Sequence, residues 1–129
     1  MKQLIVLMLA VVSASTAIAQ TKVADVAKFK SQTIDLGKVV QDEPVTATFE
    51  ITNISTKPLV IEQANPSCGC TIADFTKEPI APGKTGFVKA TYNAASTGGF
   101  VKTITVKFTG VAETLAITLT GEVMAPNKE

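Results

Sequence analysis

The chain has 129 residues, with 12 lysines, no arginine, 11 acidic residues and neither histidine nor tryptophan. A net charge of +1 carried by scattered lysines argues against nucleic-acid binding, which favours a clustered basic face and the two-pronged guanidinium of arginine. The lack of histidine removes the commonest general base and metal ligand, and a composition 46% hydrophobic excludes disorder.

The chain opens with Lys2, an unbroken apolar run from Leu4 to Val12, and the small-residue end Ala17-Ile18-Ala19. That is the three-part layout of a helical secretory signal peptide over residues 1–19, with cleavage after Ala19. The apolar run ends at Ser13, well short of the roughly 20 residues that span a bilayer. No later stretch is apolar for more than a few residues, so no membrane span is expected after cleavage. No cysteine lies near Ala19 to carry a lipid, and the expected location is periplasmic or extracellular. Loss of Lys2 brings the lysines and acids of the remaining chain into balance.

The rest of the chain is the size of one domain with one core. Residues 20–27 read as a loosely held N-terminal lead and 125–129 as a polar tail, with an all-β domain over 28–124. Phe29 to Leu36 is a weak first strand. Val45 to Thr52 is a strong one, with Val45, Ala47, Phe49 and Ile51 alternating against Thr46, Thr48, Glu50 and Thr52. Leu59 to Ala64, Thr71 to Phe75 and Thr85 to Tyr92 follow, the last with Val88, Ala90 and Tyr92 in phase. Lys102 to Phe108 places Ile104, Val106 and Phe108 on one face. Thr114 to Val123 does the same with Leu115, Ile117, Leu119, Gly121 and Val123. Turn formers separate them at Gly37, Asn53 to Pro58, Asn65-Pro66, Pro79 to Gly83, Gly98-Gly99 and Gly110. About seven short strands at this spacing predict a single immunoglobulin-like β-sandwich of antiparallel strands. Phe49, Tyr92, Phe100 and Phe108 fall in or beside the alternations and read as core.

Several segments together resemble one family: Asp35-Leu36-Gly37, Phe49-Glu50-Ile51-Thr52-Asn53, Pro58-Leu59-Val60-Ile61, Ser67-Cys68-Gly69-Cys70-Thr71, Pro79-Ile80-Ala81-Pro82-Gly83, Gly99 to Val106 and Leu119-Thr120-Gly121-Glu122-Val123. They are similar to the DUF1573 family over about 28 to 123, and the Cys-Gly-Cys-Thr element ahead of a Pro-Gly turn is the most specific part. The resemblance implies an exported bacterial immunoglobulin-like sandwich, related in architecture to ASH and major-sperm-protein modules, with no established function. Leu36 stands where the family usually has an aromatic, and Lys107-Phe108-Thr109 where it often has an asparagine turn.

Reactivity, if present, sits at Cys68-Gly69-Cys70. Export favours a disulfide between the two cysteines, although residues i and i+2 of an extended strand lie nearly 7 Å apart, so closure needs a bend that glycine permits. Four readings of the pair stand open: a local structural disulfide or buried thiols, a redox pair, a soft-metal site and a site of covalent modification. Two thiolates make only half a tetrahedral zinc site, and without histidine Asp74, Glu62, Met124 or a second molecule would have to complete it, so no metal or cofactor is expected. The carboxylates Asp42-Glu43 and Asp74 with Glu78 read as solvated loop charges, Ser67 lacks a histidine partner, and the sequon Asn53-Ile54-Ser55 reads as a turn. No catalytic residues are expected. The chain reads as a binding or structural module of the cell envelope, with an envelope protein or glycan as partner. Its alternative is thiol-dependent redox or copper or zinc handling through Cys68 and Cys70.

Overall fold

The computed structural model describes residues 21–126. The expected signal peptide and its cleavage after Ala19, and the tail beyond Pro126, lie outside the described residues.

One short helix, α1 (Val23–Val26), precedes the strands β1 (Ala27–Phe29), β2 (Thr33–Val40), β3 (Val45–Asn53), β4 (Ile61–Pro66), β5 (Thr71–Phe75), β6 (Thr85–Tyr92), β7 (Gly98–Phe108) and β8 (Thr114–Met124). They form two four-stranded sheets, in the orders β1-β3-β6-β5 and β2-β8-β7-β4. The alternation of side chains makes the sandwich. Ala47, Phe49 and Ile51 of β3, Val88, Ala90 and Tyr92 of β6, and Ile104, Val106 and Phe108 of β7 are all buried, as are Ile117, Leu119 and Val123 of β8. The aromatics read as core are core: Phe29 packs edge-on to Phe108 at 6.3 Å between ring centres, and Tyr92 lies 4.3 Å from Phe100.

Four expectations are corrected. The first weak strand is two strands in different sheets. β1 pairs antiparallel with β3, and the chain then breaks at Lys30 to Gln32, three consecutive polar residues, and crosses to pair with β8. That second pairing is parallel, so the sandwich has eight strands and is not wholly antiparallel. The N-terminal lead is not loose: Val23 and Ala27 are buried, and the Lys22 N–H donates to Asp25 Oδ2 at 3.0 Å to start α1. Val23 and Val26 fall on one face of the single helical turn, and Ala27 begins β1 with extended backbone. Finally, Gly98 and Gly99 open β7, and the turn before them is Asn93 to Thr97.

Asp35-Leu36-Gly37 forms a bulge in β2, where the register to β8 shifts between Asp35 and Lys38. The Gly37 N–H donates to Asp35 Oδ1 at 2.8 Å, and its φ of 68° is the left-handed conformation that glycine adopts without a steric penalty.

Candidate functional site

The two cysteines lie where the chain leaves one sheet for the other. β4 ends at Pro66 in one sheet and β5 begins at Thr71 in the other, so Ser67 to Cys70 must turn sharply at the sandwich edge. The sulfurs of Cys68 and Cys70 are bonded, and the Cα atoms are 5.4 Å apart, inside the range a disulfide accepts. The bend expected of Gly69 is present, since the Thr71 N–H reaches back to the Cys68 carbonyl at 3.4 Å. Both cysteines are half-buried and Gly69 is exposed.

Hydrogen bonds run from this turn across the whole end of the sandwich. The Ser67 N–H donates to the Thr103 carbonyl of β7 at 2.9 Å, and the Asn93 N–H donates to the Cys70 carbonyl at 3.0 Å. Asn93 Oδ1 accepts from the Ala95 N–H at 3.1 Å. The Ala95 carbonyl accepts from Gln41 Nε2 at 3.0 Å, and the Ala94 carbonyl accepts from the Asp42 N–H at 2.9 Å. The Gln41 N–H then ties to the Met124 carbonyl at 2.9 Å. The disulfide turn, the 93–97 loop, the 41–44 turn and the end of β8 are thus one connected unit.

Of two residues that shape this unit, Asp42 reads in the sequence only as a solvated loop charge and Ala94 carries no expectation. Asp42 and Ala94 have φ of 65° and 55°, and they are the non-glycine residues in the left-handed region among those described. Asp tolerates this conformation through local hydrogen bonding, but for alanine it costs on the order of 1–2 kcal/mol. Ala94 is fully buried, so its surroundings hold it there. An alanine carries no sequence signal for positive φ. Asp42 next to Glu43 and Pro44 does carry a turn signal.

Beside this end stand apolar side chains that the core does not cover: Ile72 at 71% exposure, and Val40 and Met124 at 40%. Ile72 is cross-strand from Thr91, and Thr91 Oγ1 shares a hydrogen bond of 2.9 Å with Thr46 Oγ1, so Ile72, Thr91 and Thr46 form one row on the outer face.

The other residues weighed for chemistry are dispersed. Asp42, Glu43, Asp74 and Glu78 are exposed, and Asp74 lies 3.9 Å from Lys77 in a solvent-facing pair. Among the described residues no three of Cys, Asp and Glu converge in a way that holds a metal ion. Asn53 of the sequon is wholly buried, and its amide nitrogen donates to the carbonyls of Lys57 at 2.7 Å and Ile80 at 2.8 Å. That nitrogen is closed to a glycan in the folded chain.

A family model described as "Protein of unknown function (DUF1573)" matches residues 27–123. No curated protein matches the sequence. Among solved structures, a protein of unknown function from Porphyromonas gingivalis W83 is similar at 19% identity and TM-score 0.65, over 75% of this chain and 46% of that one. This chain therefore spans less than half of that protein. The ASH/PapD-like domain 7 of human CEP192 is similar at 13% identity and TM-score 0.61, over 80% of this chain and 88% of that one. The VesB protease of Vibrio cholerae is similar at 16% identity and TM-score 0.60, over 79% of this chain but 33% of its own. At these identities the likeness is one of fold.

Proposed function

The chain belongs to the DUF1573 family, and on that premise we propose that it is an exported, non-enzymatic module of the bacterial envelope that binds a partner through the disulfide end of its sandwich. The observation that carries this reading is the pre-ordered end itself. Three loops are fixed to one another by a continuous set of hydrogen bonds, one of them closed on itself by a disulfide, around a buried alanine held at positive φ, while Ile72, Val40 and Met124 stay exposed beside them. Loops fixed in advance lose little conformational entropy on binding, and strained backbone gathers at sites where it serves function. An envelope protein or a glycan fits such a surface, and the module acts without cofactor.

Photo-crosslinking in cells tests the reading. A photoreactive residue at Gln41, Gly69 or Ser96 is expected to give discrete adducts in the envelope fraction, whereas one at Thr56, at the opposite end, gives none. Adducts absent at all four positions, or equal at both ends, reject it.

A second reading rests on the accessibility of the disulfide. An exported dithiol protein would attack one sulfur as thiolate, release the other as thiolate, and resolve the mixed disulfide with its second thiol, leaving Cys68 and Cys70 reduced and its own pair oxidised. The double variant Cys68→Ser, Cys70→Ser separates the two readings. Retained adducts favour the binding module. Adducts that vanish while the variant stays folded favour exchange at the turn.

A further inference from the structure

Each sheet of an open sandwich ends in strands with unpaired backbone groups, and proteins block such edges to avoid unwanted pairing. Three edges here carry a block. β4 has a register shift between Ile61 and Gln63 and ends in Pro66. β2 has the bulge at Asp35 to Lys38. On β5 the Phe75 N–H, which points away from β6, is taken by Asp74 Oδ1 at 2.9 Å.

The fourth edge is open. β1 covers β3 only at Ile51 to Asn53, with one more hydrogen bond from the Lys30 N–H to the Glu50 carbonyl at 3.0 Å, and then departs for the other sheet. That bond, and the one from the Ile54 N–H to the Val26 carbonyl at 2.9 Å, show that even-numbered residues of β3 turn their backbone groups toward the β1 side. Thr46 and Thr48 therefore present N–H and C=O groups outward with no partner among the described residues. The stretch Val45 to Phe49 has no charge, proline, glycine or bulge. Beside it lies a concavity of about 580 Å³, lined by Ile34 and Phe49 with Thr48, Ser31, Lys30 and Glu50 around them.

We infer that this edge binds an extended peptide segment of another protein, which adds a strand antiparallel to β3 in the line that β1 abandons. The peptide places one apolar side chain against Ile34 and a carboxylate at its N-terminal end. The charge follows from the end of the groove: Lys28, Lys30 and Glu50 stand there, Lys30 is 3.3 Å from Glu50, and Lys28 leaves the cluster net positive. A second copy of this chain pairs poorly: in a two-fold antiparallel pairing of β3 with itself, Pro44, which has no N–H to donate, falls opposite Thr48, Glu50 or Thr52, the positions that face the edge. A dimer of the free protein in sedimentation would assign the edge to a second copy and overturn the inference. Strand addition takes its affinity from backbone hydrogen bonds and its selectivity from alternate side chains.

The inference rests on the binding-module reading and specifies an edge for it. The test uses the full exported chain. Hydrogen exchange followed by residue should show fast amides at Thr46 and Thr48, and slow ones at Ala47 and Phe49, whose backbone faces β6. The blocked pentapeptide Glu-Val-Thr-Val-Thr should then slow Thr46 and Thr48 selectively, and its Lys-headed counterpart should bind at least tenfold more weakly. Thr48→Pro removes one outward N–H, which an edge position tolerates, and should weaken binding at least tenfold. If that variant misfolds, the paired substitution Thr46→Lys, Thr48→Lys serves the same purpose. Protected amides at Thr46 and Thr48 in the free protein would mean that the chain's own remaining residues fill the edge, and would overturn the inference. So would a peptide that does not bind, or that binds the blocked variants equally. Failure here leaves the crosslinks at the disulfide end untouched, whereas failure of the module reading appears in those crosslinks.

Discussion

Asn53 holds together the end of the sandwich opposite the disulfide. Its amide donates to the carbonyls of Lys57 and Ile80, and its side-chain oxygen accepts from the Ser55 N–H at 2.9 Å and the Ser55 hydroxyl at 2.7 Å. Because the residue is fully buried, truncation removes four hydrogen bonds from the interior, although the Lys57 carbonyl keeps the Ser55 hydroxyl and the Ile80 carbonyl keeps the Leu59 N–H. Asn53→Ala should therefore cost about 2–4 kcal/mol in a urea unfolding curve with unchanged slope. Gly121 is a second sensitive point, for the opposite reason. A methyl group there would lie 2.8 Å from the Gly37 carbonyl oxygen and 2.7 Å from Phe100 Cζ. Gly121→Ala should cost about 1–3 kcal/mol, because the backbone of the β2 bulge, and not just a side chain, stands in the way. A cost under about 0.5 kcal/mol would mean that the bulge yields freely.

At the scale of elements, the disulfide turn contributes little stability. Closing a ring of three residues removes roughly 1.5 kcal/mol of chain entropy from the unfolded state. Cys68→Ser with Cys70→Ser should thus leave a folded protein weaker by no more than about 1.5 kcal/mol, measured by denaturant unfolding beside the reduced wild type. A loss near 4 kcal/mol would show that the turn organises the sheet crossover far beyond its own ring. α1 and β1 should matter more. A chain starting at Ser31 loses buried Val23 and Ala27 and the contact of Phe29 with Phe108, and should be destabilised by at least about 3 kcal/mol. Of the strands that sequence pattern located best, β3, β6 and β8 carry an alternation that continues from turn to turn, whereas β5 is bounded by its flanking turns alone, with Thr71 buried and Ile72 exposed. β1 and β2 were harder to see. Lys30 to Gln32 breaks the strand without a glycine or proline, and a parallel pairing between the two ends of the domain leaves no local trace. Of the candidate site, Cys68 and Cys70 stood out by composition and spacing. The left-handed Ala94 and the hydrogen bonds that join the 41–44 and 93–97 segments did not, because they depend on backbone geometry between segments distant in sequence.

At the scale of the whole molecule, two sheets bury one continuous apolar layer and leave the two surfaces proposed above for recognition. One is the fixed end at the disulfide. The other is the uncovered stretch of β3. Both proposals place the partner outside the cytoplasm, where a disulfide persists. Export is thus the premise on which the account of function depends. The intact mass of the protein recovered from the envelope fraction, with and without alkylation, tests it most directly. The expected product is a chain that begins at Gln20, is two hydrogens lighter than its reduced form, and takes up no alkylating agent until it is reduced. A chain that begins at Met1 with both thiols open to alkylation would contradict it.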